Sequence, residues 1–300
     1  FKKEDTMLIT SLLLSLAAAP EVSPQLPVFS CTITEHTLEA NNLSQGTLVV
    51  SFASSDRTAV LHLAAITDAA GSFEIQDRVE KVNLDGTKRV AQACVSTGAK
   101  LVFLSTTSVY GVQDGEVDED CPIDLLQPQS PYADSKLKCE SMLKEMGEND
   151  GLEFIICRFG TIFGTSTGMR FHTAVNKFCW QAVMGQPITI WRTALNQKRP
   201  YLDLDDAVAA LKFILRSELF DCRVYNVLTA NSTVKNIVDE ISTHVPDVSI
   251  EYVDSKIMNQ LSYTVKNDRF SKMGFEFHGS LAQGIRDTIG LLSGVRQWQR

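Results

Sequence analysis

Tyr132 and Lys136 stand four residues apart in SPYADSKLKCE, and on a helix that spacing projects both side chains from one face. A phenol is a poor base near neutrality, with a reference pKa of about 10. A nearby ammonium stabilises the phenolate and lowers that pKa, each unit being worth about 1.36 kcal/mol. The pair can therefore make a general base that works near neutral pH. Spacing alone identifies nothing, because Tyr252 and Lys256 in EYVDSK repeat it, so that two of the six tyrosines fit. Context separates them. Tyr132 lies 26 residues beyond Thr106, in an apolar run that ends in the hydroxyl cluster LSTTSVYG (104–111). Tyr252 has no such partner and reads as half of a surface pair.

These residues need a frame. TAVLHLAA (58–65), KLVFLST (100–106) and LEFIICRFG (152–160) are apolar runs of strand length, without the polar alternation of a half-exposed sheet. Between the first two, residues 76–97 place Val79, Val82, Leu84, Val90, Ala91 and Cys94 close to a helical period, and Gly98 supplies a stop. A further helix starts after Pro131. Strand–helix–strand at this spacing predicts right-handed crossovers and a doubly wound α/β fold, its parallel sheet covered on both faces. Ligands in such sheets bind at the C-terminal strand ends, here 62–67, 105–111 and 159–164.

Beyond residue 165 the alternation loosens. The pattern predicts a helix over 171–184, a loop over 192–200, a helix from Asp205 through AVAALKFIL, and a strand at VYNVL (224–228). The last seventy residues are mixed, with turn signals at Gly274 and Gly279. The expected organisation is a main domain over 1–165, with 201–230 returning to it. Residues 166–200 and 231–300 form a smaller, discontinuous C-terminal region that caps the substrate.

Composition bounds the function. Of 300 residues, 44% are hydrophobic and 21% charged, the make-up of an ordinary globular protein. A net charge of −8 and a pI near 5.2 exclude a broad nucleic-acid surface. Seven cysteines, an odd number with no Cys-x-x-Cys pair, speak against a disulfide framework or a zinc site, and no metal is expected. They read as small core residues in a reducing compartment. The opening FKKEDTMLITSLLLSLAAAP has the Lys residues, apolar stretch and Ala-x-Ala of a secretory signal. Glu4 and Asp5 cancel its basic end, and the rival reading is a strand or helix of the main fold. Its apolar run is too short to span a membrane, which takes about 20 residues.

HLAAIT (62–67), VNLDGT (82–87), STTSVYG (105–111), SPYADSK (130–136) and CRFGTIFG (157–164) resemble, in order and spacing, the extended short-chain dehydrogenases. The chain is most similar to their NAD-dependent epimerase/dehydratase family, which includes UDP-sugar 4-epimerases, over roughly residues 58–230. The resemblance implies a Rossmann-like, NAD-binding main domain. It makes Tyr132 the catalytic base, and Lys136 the group that lowers its pKa and holds the nicotinamide ribose. Thr106 becomes the hydroxyl that bonds the reacting sugar oxygen, with Thr107 beside it on the substrate. Leu63, Ala64 and Ala65 line the adenine and ribose side of the cofactor, while His62 reads as a packed histidine. Asn83 braces that region, or is a polar residue on an exposed helix face. Phe159 and Thr161 lie beside the nicotinamide, although many relatives carry Asn where Thr161 stands. Arg199 corresponds to an arginine on the nucleotide diphosphate; the alternative is a solvent-exposed side chain. Asp205 and Asp206 favour the positive end of the next helix.

The family's opening Gly-x-x-Gly-x-x-Gly turn is missing, since the first glycine of the chain is Gly46. Either the chain starts beyond that turn, or MLIT (7–10) is the first strand and its loop has lost the glycines. The resemblance implies an NAD-dependent epimerase of nucleotide sugars, cytoplasmic and homodimeric. A dehydrogenase or reductase of the same family and a catalytically silent NAD-binding module stay open. A 4,6-dehydratase is disfavoured, because Thr107 and Ser108 replace the family's acidic pair.

Overall fold

A computed structural model describes residues 29–36, 45–52, 58–113, 115–166, 168–254 and 262–297. The readings placed on residues 1–28, signal sequence or first strand, lie outside them, as does Lys256. The chain divides into two compact units. The first comprises Phe1–Val109, Pro128–Arg158 and Leu211–Tyr225; the second comprises Tyr110–Gln127, Phe159–Ala210 and Asn226–Arg300.

The first unit is built on a six-stranded sheet in the order β1 (Phe29–His36), β2 (Gln45–Phe52), β3 (Thr58–His62), β4 (Lys100–Thr106), β5 (Phe154–Phe159) and β6 (Val224–Val227). β3 and β4 run parallel, with His62 facing Phe103. The expected α/β fold is present, but the sheet is not parallel throughout: β1 pairs antiparallel with β2, and β2 antiparallel with β3. Chain length explains the difference. A parallel pair needs a crossover of about a dozen residues or more; residues 63–99 supply one between β3 and β4, whereas 37–44 and 53–57 are too short.

The predicted helix over 76–97 forms in three pieces: α1 (Gln76–Glu80), a π-helical turn (Lys81–Asp85) and α2 (Gly86–Thr97). Gly98 ends α2 in the left-handed region, as expected. Such wide turns break the regular side-chain phase, and here Asn83 ends up buried. α3 (Pro131–Asp150) begins where the sequence says it should. The hydroxyl of Ser130 accepts from the Ala133 N–H, Pro131 takes the first helical position, and Gly151 closes the helix left-handed.

Ala91 and Cys94 of α2 and Cys139, Leu143 and Met146 of α3 share one core with Val60, Leu101, Phe103, Phe154 and Ile156 of the sheet. Removing a fully buried leucine such as Leu143 from this packing costs about 2–5 kcal/mol. That core fixes α3 against β4.

In the second unit, strands 230–233, 198–203 and 161–163 form a sheet in that order. Two parallel pairs accompany it, 250–253 with 188–191 and 264–265 with 116–117. Helices Ala174–Val183, Val234–His244 and Leu281–Gln297 contribute Val175, Phe178, Ile237 and Ile285 to a core with Phe163, Ile190 and Tyr201. The loop expected over 192–200 is overturned at its end: Lys198–Asp203 is a strand, paired antiparallel with Ala230–Thr233. Lys198, Arg199 and Pro200 have no strand propensity of their own, and a partner thirty residues away decides the outcome. Asp205 and Asp206 do open a helix, Leu204–Arg216. Asp206 is also buried, accepting the N–H groups of His278 and Gly279 and the Thr229 hydroxyl.

Candidate active site

Tyr132 is half-buried at the second position of α3, and its backbone N–H donates to Ser72 Oγ at 3.3 Å. Lys136, one turn later, lies on the stripe that α3 buries, and only 4% of it is exposed. An ammonium so placed needs partners. Its Nζ donates to the Leu104 carbonyl of β4 at 2.7 Å and stands 4.6 Å over the Phe103 ring. Burial pushes the Lys136 pKa down to about 8, against the opposing pull of Cys139 and Glu140. The helix therefore presents a phenol with a cation one turn away, held by the strand end that carries the hydroxyl cluster.

In that cluster Thr106 is buried, and its Oγ accepts the Ser108 N–H at 3.2 Å. An oxygen already accepting from the backbone has its own hydrogen left to donate, which sets the polarity a reacting oxygen would meet. Thr107 is buried as well. Ser105 donates to Glu140, so it serves α3.

Asn83 joins three segments. Its Oδ1 accepts the Ile66 N–H at 2.8 Å, and its Nδ2 donates to the Ile66 carbonyl at 3.1 Å and to Ser135 Oγ at 2.9 Å. It is thus no surface residue. Beyond β3, Ala64 is buried while Leu63 and Ala65 are half-buried. His62 is fully buried and stacks on Phe103; burial, and then the Lys136 ammonium, push its pKa down to about 3. It is a neutral ring with Nδ1 lacking a partner.

The remaining candidates belong to the second unit. Phe159 is buried, and Thr161 is half-buried opposite Tyr201 in the parallel pair 161–163 with 201–203. Arg199 is half-buried opposite Ser232. Tyr252, from the competing Tyr-x-x-x-Lys match, lies on an exposed strand under Arg192 rather than on a helix.

Sequence reasoning missed the pair behind Lys136. Glu140 and Arg158 are both buried, joined by Arg158 Nε to Oε1 at 3.0 Å and a second guanidinium nitrogen to Oε2 at 2.7 Å. The available signal was spacing, since Glu140 follows Lys136 by four residues.

The residues around α3 fit the nicotinamide ribose that the resemblance assigns to them. The Leu104 carbonyl takes one of the three ammonium donors of Lys136, and the Tyr132 hydroxyl adds a polar group one turn away. The small Ala64 at the strand end allows close approach. Among the described residues no group of acidic, His and Cys side chains could hold a metal ion, and no helix is long and apolar enough to cross a membrane.

The trifunctional UDP-glucose 4,6-dehydratase/UDP-4-keto-6-deoxy-D-glucose 3,5-epimerase/UDP-4-keto-L-rhamnose-reductase of Arabidopsis thaliana is 27% identical over 250 residues. That alignment takes in 80% of this chain, which spans only 36% of the relative's length. The uncharacterized UDP-glucose epimerase YtcB of Bacillus subtilis is 26% identical over 248 residues, covering 79% of this chain and 75% of its own. Among solved structures, MoeE5 in complex with UDP-glucuronic acid and NAD superposes with a TM-score of 0.70 at 26% identity, over 80% of this chain and 79% of that one. The profile of one family matches residues 16–227, and on that match the chain belongs to the NAD dependent epimerase/dehydratase family.

Proposed function

We propose that this chain acts as an NAD-dependent epimerase of nucleotide sugars, working by transient oxidation of a sugar hydroxyl. One observation carries the reading: Tyr132 precedes the buried Lys136 by one helical turn, and Lys136 grips β4 two residues before Thr106. In this reading Thr106 hydrogen-bonds the reacting hydroxyl and Tyr132 takes its proton. Lys136 balances the charge of the phenolate and bonds the nicotinamide ribose. When bound, NAD supplies the hydride acceptor and donor. Tyr132 then returns the proton to the sugar oxygen, and the carbon leaves inverted with no net redox change. Leu63, Ala64, Ala65 and Asn83 are assigned to the adenine and ribose side of the cofactor, Phe159 and Thr161 to its nicotinamide side, and Thr107 and Arg199 to the substrate. The epimerase and MoeE5 relatives support that substrate class and cofactor.

Water elimination is a poor fit, although the Arabidopsis relative is named for it. It needs an acid to protonate the departing hydroxyl, and the hydroxyls of Thr107 and Ser108 are too weak for that task.

The test is product analysis. The chain is incubated with NAD and UDP- or dTDP-hexoses, products are followed by NMR, and NADH by absorbance. The expected result is an epimerised sugar without accumulating NADH, lost about 10²–10⁴-fold in Tyr132→Phe. Net NADH formation, or a 4-keto-6-deoxy product, would overturn the epimerase reading. A homodimer and a cytoplasmic location go with the proposal. The first is checked by light scattering, the second by cell fractionation.

A further inference from the structure

Two successive turns of α3 hold two successive residues of β4. Lys136 Nζ donates to the Leu104 carbonyl at 2.7 Å, and one turn on Glu140 Oε1 accepts the Ser105 hydroxyl. The next residue of the strand is Thr106. Glu140 is itself held from the other side by the guanidinium of Arg158 on β5, through both carboxylate oxygens. All three side chains, Ser105, Glu140 and Arg158, are buried.

A buried ion pair adds little net stability compared with apolar residues of the same volume, because desolvation offsets the attraction. Cys139, Leu143 and Met146 already supply the apolar packing of α3 against the sheet, so the carboxylate is not needed to fill the core. The titratable groups that face Lys136 are few. On its own helix they are Cys139 and Glu140. From β3 comes His62, neutral and buried; Arg158 of β5 is paired with Glu140 and partly offsets its charge. Glu140 is the one carboxylate among these groups.

We propose that Glu140 is a positioning residue for the catalytic pair: it fixes the β4 strand end through Ser105 and sets a carboxylate one helical turn from the Lys136 ammonium. The proposal rests on the reading of Tyr132 and Lys136 as base and partner. It adds a residue that touches neither substrate nor cofactor. The bidentate clasp of Arg158 orients the carboxylate, so that one oxygen serves both Ser105 and Arg158 Nε while the other serves the far end of the guanidinium.

The decisive measurement is the titration of Lys136, by NMR of protein labelled at the lysine ε-carbons, with Lys136→Arg to assign the signal. The wild-type midpoint is expected near 8. In Glu140→Gln it should fall by about one unit, the lower end of what a nearby opposite charge supplies. That variant leaves Arg158 buried without its counter-charge and can fail to fold. Glu140→Gln/Arg158→Met removes both charges and keeps an acceptor for Ser105, so its midpoint must also fall, by less. An unmoved midpoint in the folded double variant would overturn the proposal. In an active enzyme the alkaline limb of kcat moves down with the titration, while a purely structural role lowers Tm and leaves the limb in place. Wild-type protein that turns over no nucleotide sugar would sink the functional reading, yet the titration would still decide the role of Glu140 toward Lys136.

Discussion

The side-chain amide of Asn83 donates to the hydroxyl of Ser135 at 2.9 Å, and that hydroxyl in turn donates to the carbonyl of Tyr132 at 2.7 Å. The π-helical turn before α2 is thereby tied to the first turn of α3. Through Ile66, Asn83 also holds the segment that leaves β3. One buried amide thus connects the strand end proposed to line the cofactor with the residue proposed as base.

Asn83→Ala should therefore affect stability and turnover together. It removes three hydrogen bonds and leaves the Ser135 hydroxyl without its donor, at a cost of about 1–3 kcal/mol. Asn83→Asp keeps the acceptor for the Ile66 N–H but turns a carboxylate toward the Ile66 carbonyl. It should be at least as damaging. Urea unfolding and kcat of both variants check this, and a wild-type midpoint in either contradicts the bridge.

The pKa of Lys136 sets an alkaline limit. In the native protein the ammonium gives up its proton near pH 8, whereas an unfolded lysine keeps it to 10.5. Between those values the unfolded state binds more protons, so folding stability rises with pH while the charge beside the phenolate disappears. Turnover should fall above about pH 8 even as the protein becomes harder to unfold. A pH profile of kcat beside urea titrations at pH 7, 8.5 and 9.5 shows whether the two trends oppose each other.

Much of this arrangement is legible in the sequence, and the reason is local. Ser130, Pro131 and Gly151 carry the start and stop of α3 in their own conformational preferences, and KLVFLST forms the strand its apolar run predicts. What was not legible depends on distant partners. The strand at Lys198–Asp203 is made by its pairing with Ala230–Thr233. Glu140 looks like one more helix charge until Arg158 and Ser105 close on it. Asp206 reads as a helix-opening acid, and only the fold brings His278, Gly279 and Thr229 to it. The antiparallel neighbours of β3 were hidden for another reason: the connection lengths that force them become meaningful only once β1 and β2 are known.

His62 should make the protein acid-sensitive. Its native pKa near 3 lies below the 6.5 of an unfolded histidine, so the unfolded state takes up the proton first as pH falls. Stability is then lost progressively below pH 6.5, with a steepest slope from this residue of about 1.4 kcal/mol per pH unit. His62→Phe keeps a ring against Phe103 and removes the titration. It should flatten the dependence of Tm on pH between 4 and 6.5; a variant as acid-sensitive as wild type would assign the effect elsewhere.

Gly111, which follows the hydroxyl cluster and Tyr110, is held to glycine by both its backbone angle and its surroundings. Its φ of +68° is costly for any residue with a Cβ. A Cβ there would also stand 1.9 Å from the carbonyl oxygen of Gln127. That oxygen belongs to the backbone, and Gln127 is held in place because its N–H donates to the Tyr110 carbonyl. The Tyr110 hydroxyl is itself anchored to Asp118 and Asn226. Relief by a side-chain rotation is not available, so the segment would have to open. Gly111→Ala should cost about 2–4 kcal/mol, the left-handed strain of about 1 kcal/mol joined to an overpacking cost of about 1–3 kcal/mol. Thermal unfolding of Gly111→Ala beside Gly115→Ala separates the two causes. Gly115 also has a positive φ, but nothing lies within 4 Å of its Cβ position. Equal losses in the two variants would mean that backbone strain alone matters, and a much larger loss at position 111 would locate the constraint in its contact with Gln127.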